Sequence, residues 1–69
     1  MLTLRRLRMQ AGWTRTELGW RAKLHPARVG QIELGRVRPP AGSVELRRLA
    51  DALHFSGDPE RLFDEADDA

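Results

Sequence analysis

The side chains of this chain that could do chemistry are mostly guanidinium groups. Eleven of its twelve basic residues are arginine, and one, Lys23, is lysine. A planar fork of donors suits two-point contact with phosphate or carboxylate, where lysine offers a point charge. The charges are unevenly placed. Residues 1–48 hold eleven bases against three acids, Glu17, Glu33 and Glu45, a net of +8, whereas residues 49–69 hold Arg61 against seven acids, a net of −6. The first two-thirds of the chain calls for an anionic partner, and the remainder for water or self-shielding. Catalysis has little to draw on. The absence of cysteine removes a thiol nucleophile, a disulfide framework and a zinc finger. His25 and His54 lie far apart, and the chain has no nucleophile–base pair, paired-carboxylate motif or glycine-rich phosphate loop. The sequence therefore predicts no enzyme activity, no cofactor and no metal.

Sixty-nine residues, 41% of them apolar, suffice for one domain with a thin core. No apolar run approaches the roughly 18 residues of a membrane span, and no signal-peptide pattern opens the chain, so a soluble cytoplasmic protein with no membrane partner is expected. Strands are not expected, because no stretch of four or more residues alternates apolar and polar between turn residues. Helix signals are frequent. Leu4, Leu7 and Ala11 mark a first helix that Gly12 stops. Thr14-Arg15-Thr16-Glu17 has the form of a capping box, and Leu18 and Ala22 form the next inward stripe. In Leu24-His25-Pro26 the proline occupies a first helical position, where its missing amide costs little. Val29 and Ile32 carry a third stripe, closed by Gly35 as a left-handed cap. Residues 36–42, with Pro39-Pro40, read as a loop. Ser43 caps a fourth helix through Leu46, Leu49, Ala50 and Leu53, broken by Ser56-Gly57, and Asp58-Pro59 opens a short fifth helix with Leu62 and Phe63. The expected architecture is all-α with five helices over residues 1–63, and the acidic residues 64–69 form a tail that frays.

Residues 15–34 carry the functional pattern. Two helices of about two turns are joined by a short turn, and Gly19 lets the second cross close to the first. Such a helix-turn-helix presents its second helix to the DNA major groove. The chain resembles the Cro/lambda-repressor-like, or XRE-type, helix-turn-helix family. The resemblance rests on Leu4-x-x-Leu7-Arg8, Gly12-Trp13-Thr14, Glu17-Leu18-Gly19, Ala22, Leu24, Val29, Ile32-Glu33-x-Gly35 and Pro39, followed by Leu49-Ala50-x-Ala52-Leu53 and Leu62-Phe63. It spans residues 4–63. The chain departs from the family's pattern at Arg15, where glutamine is frequent, and at Lys23, where glycine is usual. Lys23 is thus expected at positive φ at a cost of about 1 kcal/mol. Gly30 inside the third helix is about 1 kcal/mol worse than alanine. The loop after Gly35 and the segment before the fifth helix each look about two residues longer than the family's.

The resemblance implies a five-helix lambda-repressor-like domain that binds double-stranded DNA as a transcriptional regulator, a repressor more than an activator. At about 100° per residue the third helix points Val29 and Ile32 inward and Ala27, Gly30, Gln31 and Leu34 outward, with Arg28 on the flank. Gln31 matches adenine N6 and N7, Arg28 matches guanine O6 and N7, and Ala27 fits a thymine methyl. Arg15, Arg36 and Arg38 suit phosphates, and Thr14 and His25, at the starts of the two helices, complete the implied DNA-contacting set. Arg8 follows Leu4 by four residues, so its stem lies on the apolar face and its charge needs a partner; family members pair an arginine and a glutamate at the positions of Arg8 and Glu33. Arg5 and Arg6 are expected in solvent. Trp13 fits the core, while Trp20 either lies along the first helix or is exposed as a contact surface.

Family dimers sit on pseudo-palindromes with half-sites about one DNA turn apart. Here a weak homodimer, assembled on DNA, would use residues 38–43 and 54–58, with Val44 and Phe55 as the apolar candidates. The rival reading keeps the fold but turns Ala27, Gly30, Leu34 and Trp20 toward a protein partner, as in antitoxin-type regulators.

Overall fold

The computed structural model describes residues 1–66. Helices α1 (Thr3–Gln10), α2 (Arg15–Ala22), α3 (Pro26–Glu33) and α4 (Val44–Ala52) precede a 3-10 helix over Pro59–Phe63. The expected fifth α-helix is therefore a single 3-10 segment. Asp58 caps it through the Glu60 amide, but Asp64 already has extended backbone, which leaves too few residues for α-type bonds to establish a turn.

The predicted caps explain where the helices start. Thr14 Oγ1 accepts from the Glu17 amide at 3.1 Å, His25 Nδ1 from Ala27 at 3.1 Å, and Ser43 Oγ from Leu46 at 3.2 Å. The return bond of a capping box is replaced, since the Glu17 carboxylate accepts from Arg21 Nε at 3.1 Å, one turn along α2. All four α-helices end alike, with a left-handed residue after the last turn and two backbone bonds closing the terminus. At α3 the Arg36 amide reaches Gln31 O at 3.0 Å and the Gly35 amide reaches Ile32 O at 3.1 Å. Gly35 takes φ +77 there without a Cβ penalty. The equivalent residues of α2 and α4 are Lys23 at φ 59, as its place in the turn predicts, and His54 at φ 53, which nothing in the sequence announces. Helix α4 consequently stops at Leu53–His54, before the Ser56-Gly57 break that the sequence suggests.

The core gathers the predicted stripes. Leu4 of α1, Leu18 and Ala22 of α2, and Val29 and Ile32 of α3 meet Leu46, Leu49 and Ala50 of α4, and Leu62 of the 3-10 segment closes the end. Fully burying each leucine or isoleucine stabilises by about 1.5–3 kcal/mol, so a core this small depends on every member. Helix α2 packs on α3 and α4, and the 3-10 segment bridges α1 and α4. The approach of α2 to the following turn requires Gly19, because a Cβ there would lie 2.6 Å from the Leu24 carbonyl oxygen. Trp13 and Phe55 are half-buried against the core. Trp20 is 80% exposed, which resolves its two sequence-based placements in favour of the surface.

Residues 64–66, the first part of the predicted tail, run beside the N-terminus. Asp64 O accepts from the Thr3 amide at 2.8 Å and from Thr3 Oγ1 at 3.0 Å, supplying an orphan amide of α1 with its acceptor. The Ala66 amide bonds Met1 O at 2.8 Å, and Leu2 and Glu65 form an isolated antiparallel bridge. The rest of that tail lies outside the described residues. Arg5, expected in solvent, is half-buried, and its Nε is buried with no acceptor among the described residues. No described helix is long and apolar enough to cross a membrane.

Candidate nucleic-acid interface

Helix α3 divides cleanly by burial. Val29 and Ile32 are fully enclosed, whereas Ala27 and Gln31 are exposed and Leu34 keeps 56% of its surface. Gly30 departs from the outward face drawn from the sequence. It is buried, and what covers it is the Arg15 side chain, whose Nη1 and Cδ would lie 3.6 and 3.8 Å from a Cβ at that position. An arginine that arrives from α2 thus lies across Gly30, at a distance that would still leave room for a single methyl group there. The outward face of α3 is correspondingly narrower: Ala27, Gln31 and Leu34, flanked by Arg28.

Arg15 is held at its far end as well. Its Nε donates to Glu33 Oε1 at 3.2 Å, and Glu33 has a side chain with no exposed surface. The same carboxylate accepts from Arg8 Nε at 2.6 Å and Nη2 at 3.2 Å, while Arg8 Nη1 reaches the Trp13 carbonyl at 2.7 Å. One buried carboxylate therefore takes two arginines, one enclosed and one still 41% exposed. The geometry explains how the charges tolerate burial: three donors converge on Glu33, and the third nitrogen of Arg8 finds a backbone oxygen.

Arg28 turns from the flank of α3 toward α4. Glu45 Oε1 accepts from its Nη2 at 2.9 Å and Nε at 3.3 Å, and Oε2 accepts from Nε at 3.1 Å. The hydrogen bond to Glu45 raises the guanidinium above its already high ordinary value, against a smaller opposing effect of desolvation, with the carboxylate's charge adding to the rise. Arg28 is accordingly a permanent cation. Arg38, in the loop before α4, donates from Nη2 to Glu60 at 2.8 Å and stacks its guanidinium 4.6 Å from the centre of the Phe63 ring. Arg36 differs: it is exposed and makes no ion pair among the described residues. Thr14 and His25 are exposed caps, and because His25 Nδ1 accepts, its Nε2–H is left to donate outward.

Of the eight DNA-contact candidates, Thr14, Arg15, His25, Ala27, Arg28 and Gln31 belong to α2, α3 and their caps, while Arg36 and Arg38 lie on the loop that leaves α3. The sequence reading missed Glu45 and Glu60 as partners of Arg28 and Arg38. A signal existed for the first. Only three acids accompany eleven bases in residues 1–48, and each of the three binds an arginine: Glu17 holds Arg21, Glu33 holds Arg8 and Arg15, and Glu45 holds Arg28. Scarcity of acids in a basic stretch marks them as placed partners. No group of three or more metal-binding side chains assembles among the described residues.

Comparison with known proteins gives one family. The family described as "Helix-turn-helix domain", of the XRE/Cro-like clan, matches residues 2–63. No curated protein and no solved structure matches the chain.

Proposed function

The chain belongs to the helix-turn-helix domain family, a DNA-binding class, and from that premise we propose that it is a sequence-specific transcriptional repressor that lays α3 in the major groove. The observation that carries this reading is the exposed edge of α3, where Ala27 and Gln31 face solvent beside Arg28 while Val29 and Ile32 anchor the helix in the core. Gln31 reads adenine through N6 and N7, Arg28 reads guanine through O6 and N7, and Ala27 packs on a thymine methyl. Thr14, Arg15, His25, Arg36 and Arg38 take phosphates, which supply most of the affinity without choosing the sequence. Three of the arginines are already held by carboxylates, so they approach DNA with little side-chain entropy left to lose. Residues 1–63 form the binding domain in this reading, and the net negative charge of residues 64–69 gives them no attraction to phosphate.

Repression follows from occupancy of a site. A homodimer assembled on DNA would meet through residues 38–43 and Val44, which is 63% exposed; Phe55, half-buried against the core, contributes less. A second reading, an interaction module that binds a protein partner as antitoxin-type regulators do, has its own support in Trp20, 80% exposed beside an open groove lined also by Gly19 and Leu24. Selection of bound duplexes from a random-sequence DNA pool separates the two. Enrichment of a two-fold symmetric motif supports the repressor reading, and a pool that stays random overturns it in favour of the protein partner.

A further inference from the structure

The grip of Glu45 on Arg28 is one-sided. Of the five guanidinium hydrogens, the carboxylate uses those on the Nε–Nη2 edge, through contacts of 2.9, 3.1 and 3.3 Å. The other edge, formed by Nη1 and the second hydrogen of Nη2, makes no bond among the described residues, and the side chain keeps 40% of its surface. That second edge is itself a fork of two parallel donors, the geometry that meets guanine O6 and N7. We propose that Glu45, on the first turn of α4, is a positioning residue for DNA reading that holds Arg28 side-on so that its free edge is presented as a fixed two-point probe for guanine.

The idea rests on the proposed reading of DNA and deepens it. An arginine on an exposed helix flank ordinarily samples many rotamers, and a flexible guanidinium finds some phosphate on any sequence. Docked on Glu45, it loses that freedom before DNA arrives, and its charge is partly neutralised. Both effects act in one direction, against general phosphate binding and in favour of a base that fits the fork. Negative charge beside the interface normally weakens binding to every sequence alike. A carboxylate that also fixes an arginine weakens random binding while sparing the matched site. Glu45 itself is not aimed at DNA; its side chain is only 23% exposed, and it acts through Arg28.

The test compares the full chain with Glu45→Gln and Glu45→Asp on two duplexes, the motif obtained by selection and a scrambled one, at fixed salt, with thermal melting run beside the binding titrations. Loss of the carboxylate charge or of its reach should raise affinity for scrambled DNA about 2- to 3-fold and lower affinity for the motif. The preference between them should fall roughly 5- to 10-fold, confined to one G·C pair when each motif position is varied. In Arg28→Ala that same pair should already be indifferent, and adding Glu45→Gln should change the preference no further. Equal gains on both duplexes would show that Glu45 only adds negative charge and would overturn the positioning role. Equal losses that track a lower melting temperature would overturn it too, as a purely structural effect. Failure of the selection to yield any motif would bring down the DNA-reading proposal itself, whereas a clear motif with unchanged discrimination in both Glu45 variants would bring down this inference alone.

Discussion

Replacing Arg8 by methionine keeps most of its aliphatic stem on the apolar face of α1 but removes two of the three donors, the closest among them, to a carboxylate that has no exposed surface. Breaking a buried pair from one side costs about 3–5 kcal/mol, because the remaining charge has lost its compensation. Arg15 stays on Glu33 Oε1 at 3.2 Å and offsets part of this, while the Trp13 carbonyl loses its 2.7 Å donor and adds about 1 kcal/mol. The expected loss is about 3–4 kcal/mol. A domain of this size has roughly 3–10 kcal/mol in total, so Arg8→Met should stand near its unfolding threshold at 25 °C. Glu33→Met strands Arg8 in the same way. The double variant Arg8→Met/Glu33→Met leaves neither charge buried and should lose less than the larger single loss, so the coupling energy exceeds the smaller single loss and comes to about 3 kcal/mol or more. Urea titrations followed by helical circular dichroism measure all four corners of this cycle. A double variant whose loss equals the sum of the two single losses would refute the argument, since additive behaviour means that the groups do not compensate each other.

Gln31→Ala should cost roughly 1–3 kcal/mol on the selected motif, with preference relaxed at one base pair, as measured by competition binding against position-varied duplexes; equal losses on motif and scrambled DNA would remove its base-reading role. Arg36→Ala should lower the slope of log K against log salt by about one, because Arg36 makes no ion pair among the described residues, whereas Arg38→Ala should lower it less, its charge being shared with Glu60. Gly19→Ala drives a Cβ to 2.6 Å from a backbone oxygen and should destabilise by about 1–3 kcal/mol or more in chemical denaturation. Gly30→Ala meets only ordinary contacts of 3.6 Å or longer and should stabilise by up to about 1 kcal/mol with Arg15 in place.

The helices and their start points were legible because local chemistry sets them. Thr14, His25, Ser43 and Asp58 each cap with their own side chain, and Leu18, Val29, Ile32 and Leu49 follow the period of a buried face. His54 was not legible, because a left-handed histidine is imposed by closing α4 onto the core rather than by its own preference. The 3-10 form of the last helix had the same kind of cause, since Pro59 and Asp58 announce a helix start but not how many residues follow before the chain turns to pair with Thr3. At the interface, residue types pointed to phosphate and base contact, but periodicity alone placed Gly30 on the outer face and left Arg15 and Arg28 free. Which long side chain lies over which neighbour depends on the crossing of α2, α3 and α4. That is tertiary geometry, and Arg15 over Gly30 and Arg28 against Glu45 exist only once the helices have packed.

The central claim is that α3 is the surface that meets DNA, and amide chemical-shift mapping during titration with the selected duplex tests it most directly. The largest shifts should fall at Ala27, Arg28 and Gln31, with Thr14, Arg15, His25 and Arg36 around them, and the Arg28 side-chain Nε–H should move while remaining slow to exchange on Glu45. Shifts concentrated instead at Trp20, Lys23 and Leu24, with the amides of α3 unmoved, would contradict the claim and assign the binding face to the Trp20 groove.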